Sequence, residues 1–155
     1  MIKDKDYSIV SCSPETLIDK KKNKIITKPI AGTFKKKYSS NKNTALKYFK
    51  NNEKETKEHN MIVDMERSDL SKICKPGSVK ILKKKYVEEY KHLFHYVTSI
   101  GGILNKNIKL IDIIKAMMPG GSVIGCPKIR TLELLNRQEK ESRNIFTGSF
   151  GFIKF

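Results

Sequence analysis

Tryptophan is missing from this sequence, and acidic residues are scarce beside basic ones, 16 against 32. Long apolar runs are missing too. No stretch approaches the roughly 20 consecutive apolar residues of a membrane span, so no transmembrane segment and no membrane partner are expected. The opening residues Met1-Ile2-Lys3-Asp4-Lys5-Asp6-Tyr7 carry charge but lead into no apolar segment. A secretory signal is therefore not expected, and a cytoplasmic location is. Cysteine is rare. Cys12, Cys74 and Cys126 are odd in number and far apart, with neither metal-ligand spacing nor a disulfide framework, and read as reduced structural thiols.

What the sequence has in excess is lysine, giving a formal net charge of +16. Such a charge concentrates anions near the surface. The lysines, however, fall in scattered clusters at Lys20 to Lys24, Lys35 to Lys37 and Lys83 to Lys85. Little arginine or interleaved aromatic accompanies them, as a nucleic-acid surface would require. They read as a solvated surface, and no nucleic-acid partner is expected. At 155 residues the chain is long enough to bury one core, and its 38% hydrophobic content separates it from disordered chains.

Local patterns divide the chain into short elements. Tyr7 to Cys12 and Lys24 to Lys28 read as strands, with the lysine run between them as a turn. Ser39 to Glu53 is polar, with moderate helical tendency. Glu53 to Cys74 reads as a helix whose apolar stripe is Met61, Ile62, Met65, Leu70 and Ile73, stopped by Pro76-Gly77. Val79 to Leu82 alternates as a strand. His92 to Leu104 fits strand or helix, broken at Gly101-Gly102. Leu110 to Met118 is a short amphipathic helix, followed by a glycine-rich link. Pro127 suits the first turn of a helix from Lys128 to Glu139. Ile145 to Phe155 reads as a strand.

Four constellations carry chemistry. Glu55 and Glu58, three residues apart, lie on one flank of a helix, and hard oxygen donors of this kind suit Mg2+. Surface glutamates on a lysine-rich helix give the same pattern. Pro119 to Lys128 places exposed backbone N–H groups ahead of a helix, where an anion is favoured; a plain turn fits equally well. Gly32 and Thr33 follow a strand, where glycine lets a ligand approach the backbone. His95 sits among apolar residues, as a core histidine or a catalytic one would.

Taken in order, Ser13-Pro14-Glu15, Pro29-Ile30-Ala31-Gly32-Thr33, Glu58-His59-Asn60-Met61-Ile62-Val63-Asp64, Pro76-Gly77-Ser78-Val79, His95, Pro119 to Lys128 and Gly148-Ser149-Phe150-Gly151 resemble the chorismate-binding family. That family includes component I of aminodeoxychorismate and anthranilate synthases, and isochorismate and salicylate synthases. The resemblance covers nearly the whole chain. It implies an α+β fold, a partial chorismate-binding domain with mostly antiparallel sheets and helices packed outside. Residues 1–155 would form the central part of that domain, truncated at both ends relative to the family.

The resemblance also implies roles. His95, Glu15 and Lys128 match catalytic positions; Gly32, Thr33, Ser122 and Gly125 match substrate contacts. Glu58 and Glu55 match metal ligands, with Mg2+ as the cofactor. Asp64 to Arg67 and Arg143 to Ser149 look most like aminodeoxychorismate synthase component I, which makes 4-amino-4-deoxychorismate for folate biosynthesis. Its substrate would be chorismate, with ammonia supplied by a glutamine amidotransferase subunit. Ala31 instead resembles anthranilate synthases, since some aminodeoxychorismate synthases carry a lysine nucleophile there. A remnant without catalysis is the other alternative, because the family's later arginine and second metal-binding glutamate are not in this sequence. Phe34, Phe152 and Ser68 depart from the residues usual at their positions.

Overall fold

The computed structural model describes residues 1–125 and 127–154. In chain order it contains β1 (Ile2–Lys3), β2 (Ser8–Ile9), β3 (Thr16–Lys21), β4 (Lys24–Lys28), β5 (Ile30–Lys35), α1 (Lys42–Asn51), α2 (Glu53–Ser71), β6 (Lys80–Glu89), β7 (Leu93–Ile103), α3 (Leu110–Met117), α4 (Gly121–Ile124) and α5 (Lys128–Gln138). All strand pairs are antiparallel. The expected α+β architecture, antiparallel sheet with helices outside, is the one observed.

β7 organises the main sheet. β4 pairs with its C-terminal half and β5 with its N-terminal half, while β6 pairs along the opposite edge. β4 and β5 thus form one interrupted edge, joined where the Thr98 N–H donates to the Pro29 carbonyl. The segment from His92 to Leu104, ambiguous by pattern, is strand, and Gly101-Gly102 do not break it. A Cβ at Gly102 would lie 2.6 Å from the Cys74 sulfur, so glycine there admits the chain that leaves α2.

Side chains alternate across β7. Phe94, Tyr96, Thr98 and Ile100 face the helices, and His95 lies on the other face, paired with Thr33. One core cluster gathers Ile25, Val63, Leu70, Ile100, Ile113 and Met117. A second, around Phe49, Phe94, Tyr96 and Ala45, packs α1 on the sheet. Phe49 stacks on Tyr96 at 4.7 Å between ring centroids, which adds to the burial of both rings.

The helices begin where the sequence supplies caps. Asn41 accepts the Thr44 N–H, and Asn52 accepts the Glu55 N–H at 3.2 Å while also closing the end of α1. The second cap fixes the first turn of the helix that carries Glu55 and Glu58. Asn52→Ala is expected to cost about 1 kcal/mol, lowering the thermal midpoint by about 3 °C. Asn52→Asp, which retains the acceptor, should lose little by the same calorimetric measurement.

Several expectations are corrected. Of Tyr7 to Cys12 only Ser8 and Ile9 form a strand, against Ile2 and Lys3; the partner of β4 is β3, whose Ile18 borders the core. β6 continues well past Leu82 to Glu89. Met61 is largely exposed, and the buried stripe of α2 includes His59, Glu66 and Asp69. The glycine-rich link contains the short helix α4. Residues 145–154 form no strand, and α5 buries no residue. Cys126 and Phe155, included in the sequence expectations, lie outside the described residues. No helix among the described residues is long and apolar enough to cross a membrane.

Candidate active site

The site is organised by one stripe of α2. Glu55, His59, Ile62, Glu66 and Asp69 follow one another at alternating steps of four and three, which keeps them on one face of a helix. His59, Ile62, Glu66 and Asp69 are buried and Glu55 is half-buried. The polar members therefore need partners inside the protein. The partners come from β4, β5, β7 and α5, and together they set the geometry of the site.

At the N-terminal end of the stripe, Glu55 lies against Gly32. A Cβ on Gly32 would stand 2.8 Å from Glu55 Oε2 and 2.9 Å from Phe49 Cε1, and Gly32 has φ of +105°. Both facts require glycine there. Glu58, one turn further along, is exposed. Among the described residues no three His, Cys, Asp or Glu side chains form a metal-binding group. The two carboxylates suit a hard cation that keeps several waters and takes further oxygens from a substrate.

Across the strand from Gly32, the Thr33 hydroxyl and His95 Nδ1 are 3.2 Å apart, and the Tyr90 ring packs edge-on against His95 at 5.3 Å. Glu15 accepts the Ile30 N–H at 3.1 Å. Burial raises its pKa above the usual carboxylate value, opposed by that hydrogen bond and by the nearby His95. Glu15, Thr33 and His95 therefore meet beside the irregular stretch of β5, where the register with β7 shifts between Ile30 and Thr33.

Glu66 links this cluster to the glycine-rich segment. Its Oε2 lies 3.2 Å from the Thr27 hydroxyl, which is also 3.3 Å from the Thr16 carbonyl. One hydroxyl proton cannot serve both acceptors at once, but a protonated Glu66 can donate to Thr27 while Thr27 donates to Thr16. Burial, first, and the neighbouring Asp69 and Glu15 carboxylates push the Glu66 pKa up to about 7, against the pull of Thr27 and Lys128. The hydrogen-bond count and the electrostatics agree.

Lys128 opens α5, but its ammonium is tied down: Nζ is 2.5 Å from Asp69 Oδ2 and 3.0 Å from the Ala116 carbonyl. Its side chain is 13% exposed and Asp69 is 6% exposed. The pair clamps α2, α3 and α5 around the link that holds Ser122 and Gly125. Ser122 is exposed on α4, and Gly125 ends it, with its N–H on the Gly121 carbonyl. All the matched positions but the exposed Glu58 divide into two groups. Glu15, Gly32, Thr33, His95 and Glu55 gather around β5; Lys128, Ser122 and Gly125 gather around α4.

His59, Glu66 and Asp69 were not singled out by sequence reasoning. Their signal is the four-three spacing from Glu55, hidden because polar residues were not counted into a buried stripe.

Comparison with known proteins shows the family. The model of the chorismate binding enzyme family matches residues 1–155. The aminodeoxychorismate synthase component 1 of Bacillus subtilis is 38% identical over 97% of this chain and 32% of its own length. The anthranilate synthase component 1 of Mycolicibacterium smegmatis is 36% identical over 97% of this chain and 29% of its own. The crystal structure of anthranilate synthase component I from Streptococcus pneumoniae superposes with a TM-score of 0.71 at 34% identity, covering 84% of this chain and 28% of that one. This chain therefore spans about a third of the length of the curated relatives it matches. With its fold, its motifs and the family match in agreement, the chain belongs to the chorismate binding enzymes.

Proposed function

We propose that this chain provides part of the site of an aminodeoxychorismate synthase component I, which converts chorismate and ammonia to 4-amino-4-deoxychorismate. The observation that carries the reading is the meeting of Glu15, Gly32, Thr33, His95 and Glu55 at the irregular stretch of β5. The Bacillus subtilis relative and the resemblance at Asp64 to Arg67 and Arg143 to Ser149 support the branch. In the net reaction the C4–O bond breaks, a C–N bond forms, and the hydroxyl leaves as water with a proton from ammonia. Glu15, whose pKa burial raises above the usual carboxylate value, would handle the proton at the leaving oxygen. His95 and Thr33 orient the ring, and Ser122 and Gly125 face the rest of the substrate. Glu58 and Glu55 would hold Mg2+, which neutralises the ring carboxylate.

Ammonia would come from a glutamine amidotransferase subunit, in a cytoplasmic folate route. Ala31 is 5% exposed and lies beside His59. With no amine at that position, attack proceeds without a covalent intermediate on residue 31.

That same alanine favours a second reading, anthranilate synthesis, in which pyruvate is also released. Incubation with chorismate, Mg2+ and ammonium, followed by chromatography, separates the two. Aminodeoxychorismate is the expected product; anthranilate in its place would overturn the branch. Absence of both products and of chorismate binding would assign the chain as a remnant.

A further inference from the structure

The buried histidine of α2 is not among the residues that meet the substrate in the proposed reaction, yet its surroundings are unusually specific. β7 is flanked by one-residue irregularities on both edges, one on β5 and two on β6, and one from each edge concerns His59. On β5, the three steps from Ile30 to Thr33 span two steps of β7, Val97 to His95. On β6, the three steps from Lys83 to Tyr86 span two steps of β7, Ser99 to Val97. Each is a bulge, with one extra residue that leaves backbone groups off the ladder. The bulges face Tyr96 and Thr98, neighbours on the helix side of the same strand. Each contains a left-handed residue, Gly32 with φ of +105° and Lys85 with φ of +46°.

His59 touches both places. Its Nδ1 is 3.3 Å from the Ala31 carbonyl, and its Nε2 is 2.7 Å from the Thr98 hydroxyl. Thr98 Oγ1 also accepts the Lys85 N–H at 3.1 Å. The ring packs against Tyr96 at 4.7 Å and is fully buried. A carbonyl only accepts, so Nδ1 carries the proton; Nε2 then accepts the one proton of the Thr98 hydroxyl. A single chain of hydrogen bonds results, running from the Ala31 carbonyl through His59 and Thr98 to the Lys85 N–H. It satisfies the backbone groups that the two bulges displace from the sheet.

We propose that His59 is a positioning residue, the brace that holds both bulges and thereby fixes Gly32 and Thr33 at the substrate site. The functional half of this inference rests on the chorismate reading above; the structural half does not. The brace acts through backbone geometry, because the Ala31 carbonyl precedes the two residues that approach the substrate.

Two variants test it by amide hydrogen exchange and by chorismate titration in the presence of Mg2+. His59→Phe keeps a ring but leaves the Ala31 carbonyl and the Thr98 hydroxyl proton without their partner, so Thr98 is no longer held on the Lys85 N–H. Exchange at residues 31–33 and 85 should accelerate about tenfold or more, while the β4–β7 ladder at residues 25–27 keeps its protection. Chorismate affinity should fall by about tenfold. His59→Asn, whose amide can still donate to Ala31, should restore protection at residues 32 and 33 more than at residue 85. Wild-type exchange at both bulges in His59→Phe would overturn the brace. Uniform acceleration across the sheet in both variants would also overturn it, since His59 would then be an ordinary core side chain. Bulge-specific exchange with unchanged chorismate affinity would overturn the positioning role. If the wild-type protein binds no chorismate, the substrate reading fails, and the exchange pattern still decides the brace.

Discussion

Gly32→Ala is expected to lose about 3 kcal/mol of stability and most of its Mg2+-dependent affinity for chorismate. Two effects add at this position. A Cβ strains backbone at φ of +105°, and the same atom stands 2.8 Å from Glu55 Oε2 and 2.9 Å from the Phe49 ring. Glu55 is the more movable of the two, so the substitution displaces the carboxylate proposed to serve the metal. Phe49 is buried against Tyr96 and cannot yield without disturbing that stack. Gly77→Ala provides the control. Gly77 also has a positive φ, +73°, but nothing lies within 4 Å of its added Cβ. It should cost about 1 kcal/mol and leave chorismate binding unchanged. Urea denaturation with paired chorismate titrations would expose an error directly: equal losses in the two variants would mean that strain alone matters.

A second large effect follows from the buried carboxyl of Glu66. Its folded-state pKa is about 7, above the ordinary value of 4.5. Between those values the native protein holds a proton that the unfolded chain releases. The stabilisation from this group is complete below pH 4.5 and is lost as pH rises through 7. At 1.36 kcal/mol per pH unit the full difference is about 3 kcal/mol. Glu66→Gln removes the titration while keeping an amide that can donate to Thr27. It should match the wild type near pH 4 and exceed its thermal midpoint by about 8 °C at pH 8.5. Glu15 is raised in the same direction, so a smaller slope should persist in the variant. Asp69 and Lys128 face Glu66 as well, and their pair should be retained. Identical pH profiles for the two proteins would remove Glu66 as the titrating group.

Local chemistry made α2, α3 and α5 legible, whereas α1 showed only moderate helical tendency and α4 was not expected. Pro127 ahead of Lys128 and Pro76-Gly77 after α2 are signals that act over a few residues. Strand pairing is different in kind. Tyr7 to Cys12 has the pattern of a strand and Thr16 to Lys21 does not, yet the hydrogen bonds with Lys24 to Lys28 select the second. The region from residue 145 onward has strand-forming residues, yet Ile145, Phe146, Phe150 and Phe152 are exposed and pair with nothing in the described sheet. For the site, the ordered motifs located Glu15, Thr33 and His95, which the structure brings together. The sequence offered two readings of a histidine, core or catalytic, for His95. The histidine that is fully buried and hydrogen-bonded within the core is His59. Glu66 and Asp69 were hidden for the same reason: a polar residue in a helical stripe reads as solvent-facing until its partners on other elements are known.

The pairing of β7 with both early and late parts of the chain also bears on the order of assembly. β6 and β7 are joined by a short turn and can close with little loop entropy, whereas Ile25 must find Gly102 across both long helices. The β6–β7 hairpin is therefore expected to form first and to act as the template on which β4 and β5 dock. Glu15, Gly32 and Thr33 belong to the segment that arrives last. During synthesis the residues proposed to meet chorismate are made early, yet they stay unassembled until β7 has left the ribosome.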